Sequence, residues 1–436
     1  MRGGHRSRIV RVLALATVVS LAVSAGASAA PGDLDPTFGK DGKAHFDFPP
    51  AEGMVRQDDG KFVVVGPLLG SAPHGWVVGR VTPGGRIDRT FGDDGSTRTK
   101  FTTGPNEAGP GGIALQGRRI VIGGVAGKPS GGSDFVAARY LRNGRLDETF
   151  GNGGITRIGF EGLFGSAHVS AGGNAVVVQP DRKIVLVGQV RNQLSPGERT
   201  AALVRLNPDG DLDESFGNEG RVVTDLSADI RSLHDAALDS SGRIVAVGLS
   251  SASDENRLVR YTTEGELDPT FDEDGVRTPV GRPLYAPAVA IQPDGKILVA
   301  ALAPDGRGGR AFSLERFNED GSPDESFGSG GQAVTDFTPG DDVARDVALQ
   351  ASGKIVVVGV AAGKRGRFAV VRYNSDGTVD STFGGGDGKV AANLSRRRDS
   401  AASVVIQPNT RIVAAGEADG YSWDDGHLGM ARFGGG

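Results

Sequence analysis

Residues 346–394 read DVALQASGKIVVVGVAAGKRGRFAVVRYNSDGTVDSTFGGGDGKVAANL. Four short runs rich in Val and Ile, 346–350, 354–359, 368–373 and 388–394, alternate with stretches rich in Gly, Asp and Ser. Runs of this length and composition, bounded by turn residues, predict β-strands. No helical period persists here, so the stretch reads as four antiparallel strands in succession.

The same unit recurs along the chain, and three motifs mark it. The first is a turn closed by Phe, as in Leu34-Asp35-Pro36-Thr37-Phe38-Gly39; its aspartates are Asp35, Asp88, Asp147, Asp213, Asp268, Asp324 and Asp380. The second is a hairpin, as in Gln292-Pro293-Asp294-Gly295-Lys296-Ile297, with variants beginning at Gln57, Gln116, Gln179, Asp239, Gln350 and Gln407. Proline presets the first turn position and glycine supplies the positive φ that a tight hairpin needs. The copy at Gln116 is one turn residue short, and the copy at Gln407 has Asn409-Thr410 in place of Asp-Gly. The third is a strand ending in Arg and a large residue, as in Val371-Arg372-Tyr373, with the other arginines at Arg80, Arg139, Arg205, Arg260, Arg316 and Arg432. Seven units of four strands predict an all-β, seven-bladed β-propeller.

The ends favour a closed ring over an open β-solenoid. The first unit contributes only a Phe-Gly turn and one strand, 43–48, and the last stops at Ala431-Arg432-Phe433, after its third strand. Pairing the two completes the last blade and removes two sheet edges that would otherwise invite aggregation.

Taken together and in order, Gln-Pro-Asp-Gly-Lys-Ile, Val-Arg-Tyr-Asn-x-Asp-Gly and Leu-Asp-x-Thr-Phe-Gly resemble the delta-60 repeat family of exported bacterial proteins. The unit is also similar to the NHL repeat of propeller blades. These resemblances imply fold and export, and carry no catalytic residue.

Residues 1–29 read as a cleavable signal peptide: Arg2, Arg6, Arg8 and Arg11 precede an apolar run from Val12 to Ala25 and a small-residue site, Ala27-Ser28-Ala29. Residues 30–436 are then one propeller domain, and the expected location is secreted, extracellular, with no membrane insertion after cleavage. The whole chain carries a net charge of −5, and losing a leader with four arginines and no acids makes the remainder more acidic still. That argues against a nucleic-acid partner. There is no cysteine, so stability has to come from packing and ring closure rather than disulfides. A monomer is expected.

The repeated residues read as scaffold. Each turn Phe should pack a blade. A buried Arg is tolerated only when paired, so each strand Arg should meet the Asp of the following turn: Arg316 with Asp324, Arg372 with Asp380 and, across the ring closure, Arg432 with Asp35. The Asp- and Gly-rich turns do not match a calcium loop. Turn chemistry explains them without metal, so no cofactor is expected, with calcium as the alternative.

The hairpin and Phe turns should share one face. The loops of the opposite face vary in length and include 102–111, 161–174, 281–287 and 395–400, together with 67–75, 189–200, 303–310 and 417–427. Variable loops on a fixed scaffold are where binding residues concentrate. Trp76, Tyr285, Tyr421, Trp423, Asp424 and Asp425 fall in or beside them and suit contact with a protein or glycan at the cell surface. The leading expectation is a secreted, non-catalytic binding propeller. The alternatives are a hydrolase or lyase with its site at the channel mouth, and a purely structural surface protein. His-Glu-x-x-His and Gly-x-Ser-x-Gly are both absent. An enzyme should bring His and carboxylates with perturbed pKa values together in the channel, whereas a binder should expose an aromatic patch.

Overall fold

The computed structural model describes residues 29–68, 74–101, 108–129, 131–164, 169–192, 199–224, 229–250, 255–278, 288–363, 365–420 and 426–436. Each hairpin brings two neighbouring strands into antiparallel register, and the first strands of successive units neighbour one another around a closed ring. The architecture is an all-β propeller. Among the described residues, no helix is long and apolar enough to cross a membrane.

Five sheets stand as separate four-stranded blades. One typical blade runs Val343–Leu349, Ile355–Ala361, Arg367–Tyr373, Lys389–Ala392 from the channel outward. The expectation of a seven-bladed propeller is corrected: five blades stand by themselves. Two successive units, beginning with Ala108–Gln116 and Val169–Val178, share one eight-stranded sheet. The join is a parallel contact between Ser133 and Ser170. The Ser133 hydroxyl donates to the Ala171 carbonyl at 2.9 Å. Gly132, at φ +78°, makes the approach possible, since a Cβ there would lie 2.3 Å from the Val169 oxygen.

At the closure, Lys43–Phe46 pairs antiparallel with His427–Phe433, Lys43 opposite Ala431 and Phe46 opposite Leu428. It forms the fourth strand of the blade that also holds Arg398–Ile406 and Ile412–Gly420.

Alternate burial builds the cores between blades. The turn phenylalanines Phe38, Phe91, Phe150, Phe216, Phe271, Phe327 and Phe383 are all fully buried. Over each ring lies the guanidinium of its own unit's strand arginine, 4.5–5.0 Å from the ring centre, from Arg205 on Phe216 to Arg432 on Phe38. The same arginines meet the turn aspartates. Nε donates to Oδ2 at 2.7 Å from Arg316 to Asp324 and from Arg372 to Asp380, and at 2.9 Å from Arg432 to Asp35, 397 positions away in sequence.

The arginine also links units. Arg372 Nη1 donates to the Gly435 carbonyl, Arg316 Nη1 to that of Ser375, and Arg432 Nη1 to that of Pro83 at 2.7 Å. One side chain thus stacks on its turn Phe, neutralises its turn Asp and holds the next unit. Each aspartate has a second cation from the hairpin, such as Lys296 on Asp324 at 2.8 Å and Arg411 on Asp35 at 3.0 Å. Burial opposes ionisation of Asp380, but Lys354, Thr382 and Arg372 outweigh it and hold its carboxyl well below the usual carboxylate range.

Candidate functional site

The first strand of each unit lines the central channel, and most of these strands share an irregularity. The register slips by one residue between Pro110 and Gly112, Gly173 and Ala175, Leu233 and Asp235, Ala344 and Asp346, and Ala401 and Ser403. The extra residues are Gly111, Asn174, His234, Arg345 and Ala402. Each lies five positions before the first residue of its hairpin motif, and Glu52 holds the same offset in the first unit. A β-bulge re-aims a side chain out of the regular alternation. Here the bulges turn Asn174, His234 and Arg345 toward the axis, and with Glu52, at the same offset without a bulge, they line a cavity of about 560 Å³.

The next position inward adds Asp235, Asp346 and Ser403 to the lining. Asp235 accepts the Ala236 amide at 2.9 Å and, across to the following first strand, the Val289 amide at 2.8 Å. Asp346 accepts the Val347 amide at 2.8 Å and the Val404 amide at 2.7 Å, and the Ser403 hydroxyl also bonds to it. Asn174 Nδ2 donates to the Leu233 carbonyl at 2.6 Å. These side chains therefore pin neighbouring inner strands as well as facing the cavity.

Protein packed around the channel opposes ionisation of these half-buried groups, and the charges respond. Burial raises Asp235 to about 6. Burial and the nearby Asp235 raise Asp346 to about 7. Glu52 is exposed to the channel, yet the protein crowded around its carboxyl raises it to about 7, against the favourable charge of Arg345. Burial and Arg231 lower His234 to about 4, so its ring is neutral near pH 7; its Nε2 lies 2.9 Å from the Ser232 hydroxyl. The site can present acceptors that change to donors within a narrow pH range, beside a fixed guanidinium and a neutral imidazole.

These shifts predict the pH dependence of stability. Glu52, Asp235 and Asp346 hold protons in the folded state that the unfolded chain has already released. Their contribution is greatest at low pH and is lost as pH rises through about 6 to 7. His234 has the opposite sign: its contribution is full above its unfolded value of 6.5 and is lost as pH falls through about 4. Three groups outweigh one, so the unfolding temperature is expected to fall between about pH 5 and 7.5. Scanning calorimetry should show a shallower slope in D346N and a steeper one in H234Q; unchanged slopes in both would remove the channel from the pH response.

The residues expected to bind divide differently. Trp76 is corrected: it is fully buried, its Nε1 donates to Tyr140 Oη at 2.7 Å, and its ring packs 4.3 Å from that of Phe101. The apolar sequence around it, Gly75–Val81, is a core strand, and burial of the indole needs the Tyr140 acceptor. Tyr285, Tyr421, Trp423, Asp424 and Asp425 lie outside the described residues. The large apolar side chains exposed among the described residues are Leu163, Val334 and Val379, none of them aromatic. Among the described residues, no three His, Asp or Glu side chains group as metal ligands. The channel residues escaped the motif reading, yet the signal was there: the position five before each hairpin reads Glu52, Gly111, Asn174, His234, Pro287, Arg345 and Ala402, and the next reads Gly53, Gly112, Ala175, Asp235, Ala288, Asp346 and Ser403, two adjacent variable positions ahead of the regular run into the hairpin.

Five segments, 118–150, 179–216, 240–271, 292–327 and 350–383, match the family model described as "Domain of unknown function (DUF5122) beta-propeller". The chain is a β-propeller repeat protein. No curated protein is detectably similar to this propeller in sequence. Among solved structures, it is similar to the PQQ-bound aldose sugar dehydrogenase of Streptomyces coelicolor, at 13% identity over 89% of this chain and 96% of that one, with a TM-score of 0.41. It is also similar to an oxidoreductase of Thermus thermophilus described as a glucose dehydrogenase, at 15% identity, 89% and 97% coverage and a TM-score of 0.38. A third likeness is to an exo-β-1,3-galactanase of Clostridium thermocellum, at 11% identity, 72% and 74% coverage and a TM-score of 0.33. At these values the likenesses say nothing about the propeller's chemistry.

Proposed function

We propose that this chain is an exported binding propeller that takes a small, hydroxyl-rich ligand, such as a glycan end, into its central channel. One observation carries the reading: one sequence offset brings chemically different side chains, Glu52 and the bulged Asn174, His234 and Arg345, into one cavity. A purely structural axis has no need of that variety. Carboxylates, an amide and a guanidinium together suit a ligand with many donors and acceptors, and a largely preformed concave site limits the entropy lost on binding. Export rests on the leader-like residues 1–29 and the resemblance to the delta-60 repeats.

A second reading is a propeller enzyme using the same cavity. It is favoured by the neutral His234 beside Asp235 and Asp346, whose raised values suit proton transfer near neutral pH.

The test is a thermal-shift screen of mono- and oligosaccharides on residues 30–436, followed by calorimetric titration of each hit. E52Q keeps the shape of the side chain and removes its charge, and is expected to weaken binding by about tenfold, the usual scale for one charge-assisted hydrogen bond. Turnover of a bound sugar would favour the enzyme. A hit unaffected by E52Q but lost in Y285A or W423A would move the site to the variable loops and end the channel reading.

A further inference from the structure

The loop between the last two blades carries Ser395-Arg396-Arg397-Arg398-Asp399. Its backbone is held from within. Asp399, fully buried, accepts the amides of Leu394 at 2.8 Å and Ser395 at 3.0 Å on Oδ2 and the Ser395 hydroxyl at 2.6 Å on Oδ1. The Arg397 amide in turn donates to Ser395 Oγ at 3.0 Å. Arg396 and Arg397 are exposed, and Arg398 is half-buried where the inner strand begins. Arg365 approaches from the facing loop, its Nη1 donating to the Arg396 carbonyl. The four arginines border a cleft of about 750 Å³ with Gly363 and Gly366, and Asp341 is the carboxylate in its lining. Asp419 lies beside it, 3.9 Å from Arg397 Nε.

The preceding unit shows that the fold does not require these arginines. Its loop, Thr338-Pro339-Gly340-Asp341-Asp342, closes the same way. Asp342 accepts the amides of Phe337 at 2.7 Å and Thr338 at 3.1 Å, and the Thr338 hydroxyl at 2.9 Å. Between the same two anchors one unit carries Pro-Gly-Asp and the next Arg-Arg-Arg. Three adjacent like charges cost repulsion in the free protein, and they stand in a chain that is acidic overall.

We infer that this cleft is a binding site for a multivalent oxyanion, a ligand bearing several phosphate, sulfate or carboxylate groups. The guanidinium fork matches such groups bidentately. The cleft is larger than a single tetrahedral ion needs and lies in the range of small-molecule pockets. The locked Ser395–Asp399 loop means little ordering remains to be done on binding. The site is separate from the channel and stands independently of the ligand proposed there.

The experiment is calorimetric titration of residues 30–436 at about 50 mM and about 200 mM salt. The probes are inorganic tripolyphosphate, a heparin-derived oligosaccharide and an oligogalacturonate, and the arm that responds identifies which anionic group is held. Binding that weakens with salt and falls at least tenfold in the R396Q/R397Q double variant is expected. Both side chains are exposed, so the fold should be kept, which circular dichroism checks. R118Q, exposed on another part of the surface, should bind like the parent. No binding by any of the three probes, or equal binding by the parent and R396Q/R397Q, would overturn the site.

Discussion

Arg432→Ala is expected to cost about 3 kcal/mol of stability, read as a lower urea midpoint with the slope unchanged, because removing one partner of a buried ion pair strands the other. Arg432 donates from Nε to Asp35 at 2.9 Å, from Nη1 to the Pro83 carbonyl at 2.7 Å and from Nη2 to Thr37 Oγ1 at 2.6 Å, with its guanidinium over Phe38. Four contacts join the C-terminal strand to the N-terminal turn and the first full blade. Arg411 remains beside Asp35, which is why the lower end of the range for a broken buried pair is expected. The control is Arg89→Ala. Its pair with Asp94 is just as close at 2.7 Å, but the side chains are 74% and 70% exposed, so the loss should stay below about 0.5 kcal/mol. Equal effects of the two substitutions would mean that burial does not set the worth of the repeated Arg–Asp pair.

Deleting residues 29–48 should have a larger effect. It removes the strand paired with His427–Phe433 and takes Phe38 and Phe46, both buried, out of the core they share with Met54, Phe62 and Met430. Each Phe contributes about 2 kcal/mol through burial alone. The deletion also leaves a row of unpaired backbone groups on His427–Phe433, an edge open to pairing with other chains. A markedly lower melting temperature together with dimers or larger species by light scattering is the expected result. A synthetic peptide of residues 29–48 added in trans should restore much of the loss by strand addition. A truncated chain that stays monomeric and melts like the parent would show that the closure contributes little.

Much of the scaffold was legible in the sequence because its causes are local. Alternating Val and Ile, Pro-Asp-Gly turns and a buried Phe act within one unit, and repetition amplifies a signal that a single strand would not give. The link from Arg372 to the Gly435 carbonyl was not legible, since a backbone acceptor has no residue type. Nor was the number of separate sheets. Motifs count units, whereas the joining of two units depends on how closely Gly132 and Ser133 approach Val169 and Ala171. Trp76 was misread for another reason. Rare aromatics drew attention to loops, yet Trp76 proved to be core. The channel residues, His234 and Arg345 among them, look like ordinary polar interruptions until the bulge re-aims them.

That bulge has an evolutionary consequence. Because the same offset lines the cavity wherever it is described, single-codon changes there alter the channel chemistry while leaving the hairpin turns and the blade cores in place. The inner ring behaves like the wheels of a combination lock, most of its settings held by single residues, with Asn174 also tied to the neighbouring strand through the Leu233 carbonyl. Lineages can therefore diverge in what they hold while remaining nearly identical in how they fold, and the informative comparison between them is a short string of letters beginning Glu, Gly, Asn, His.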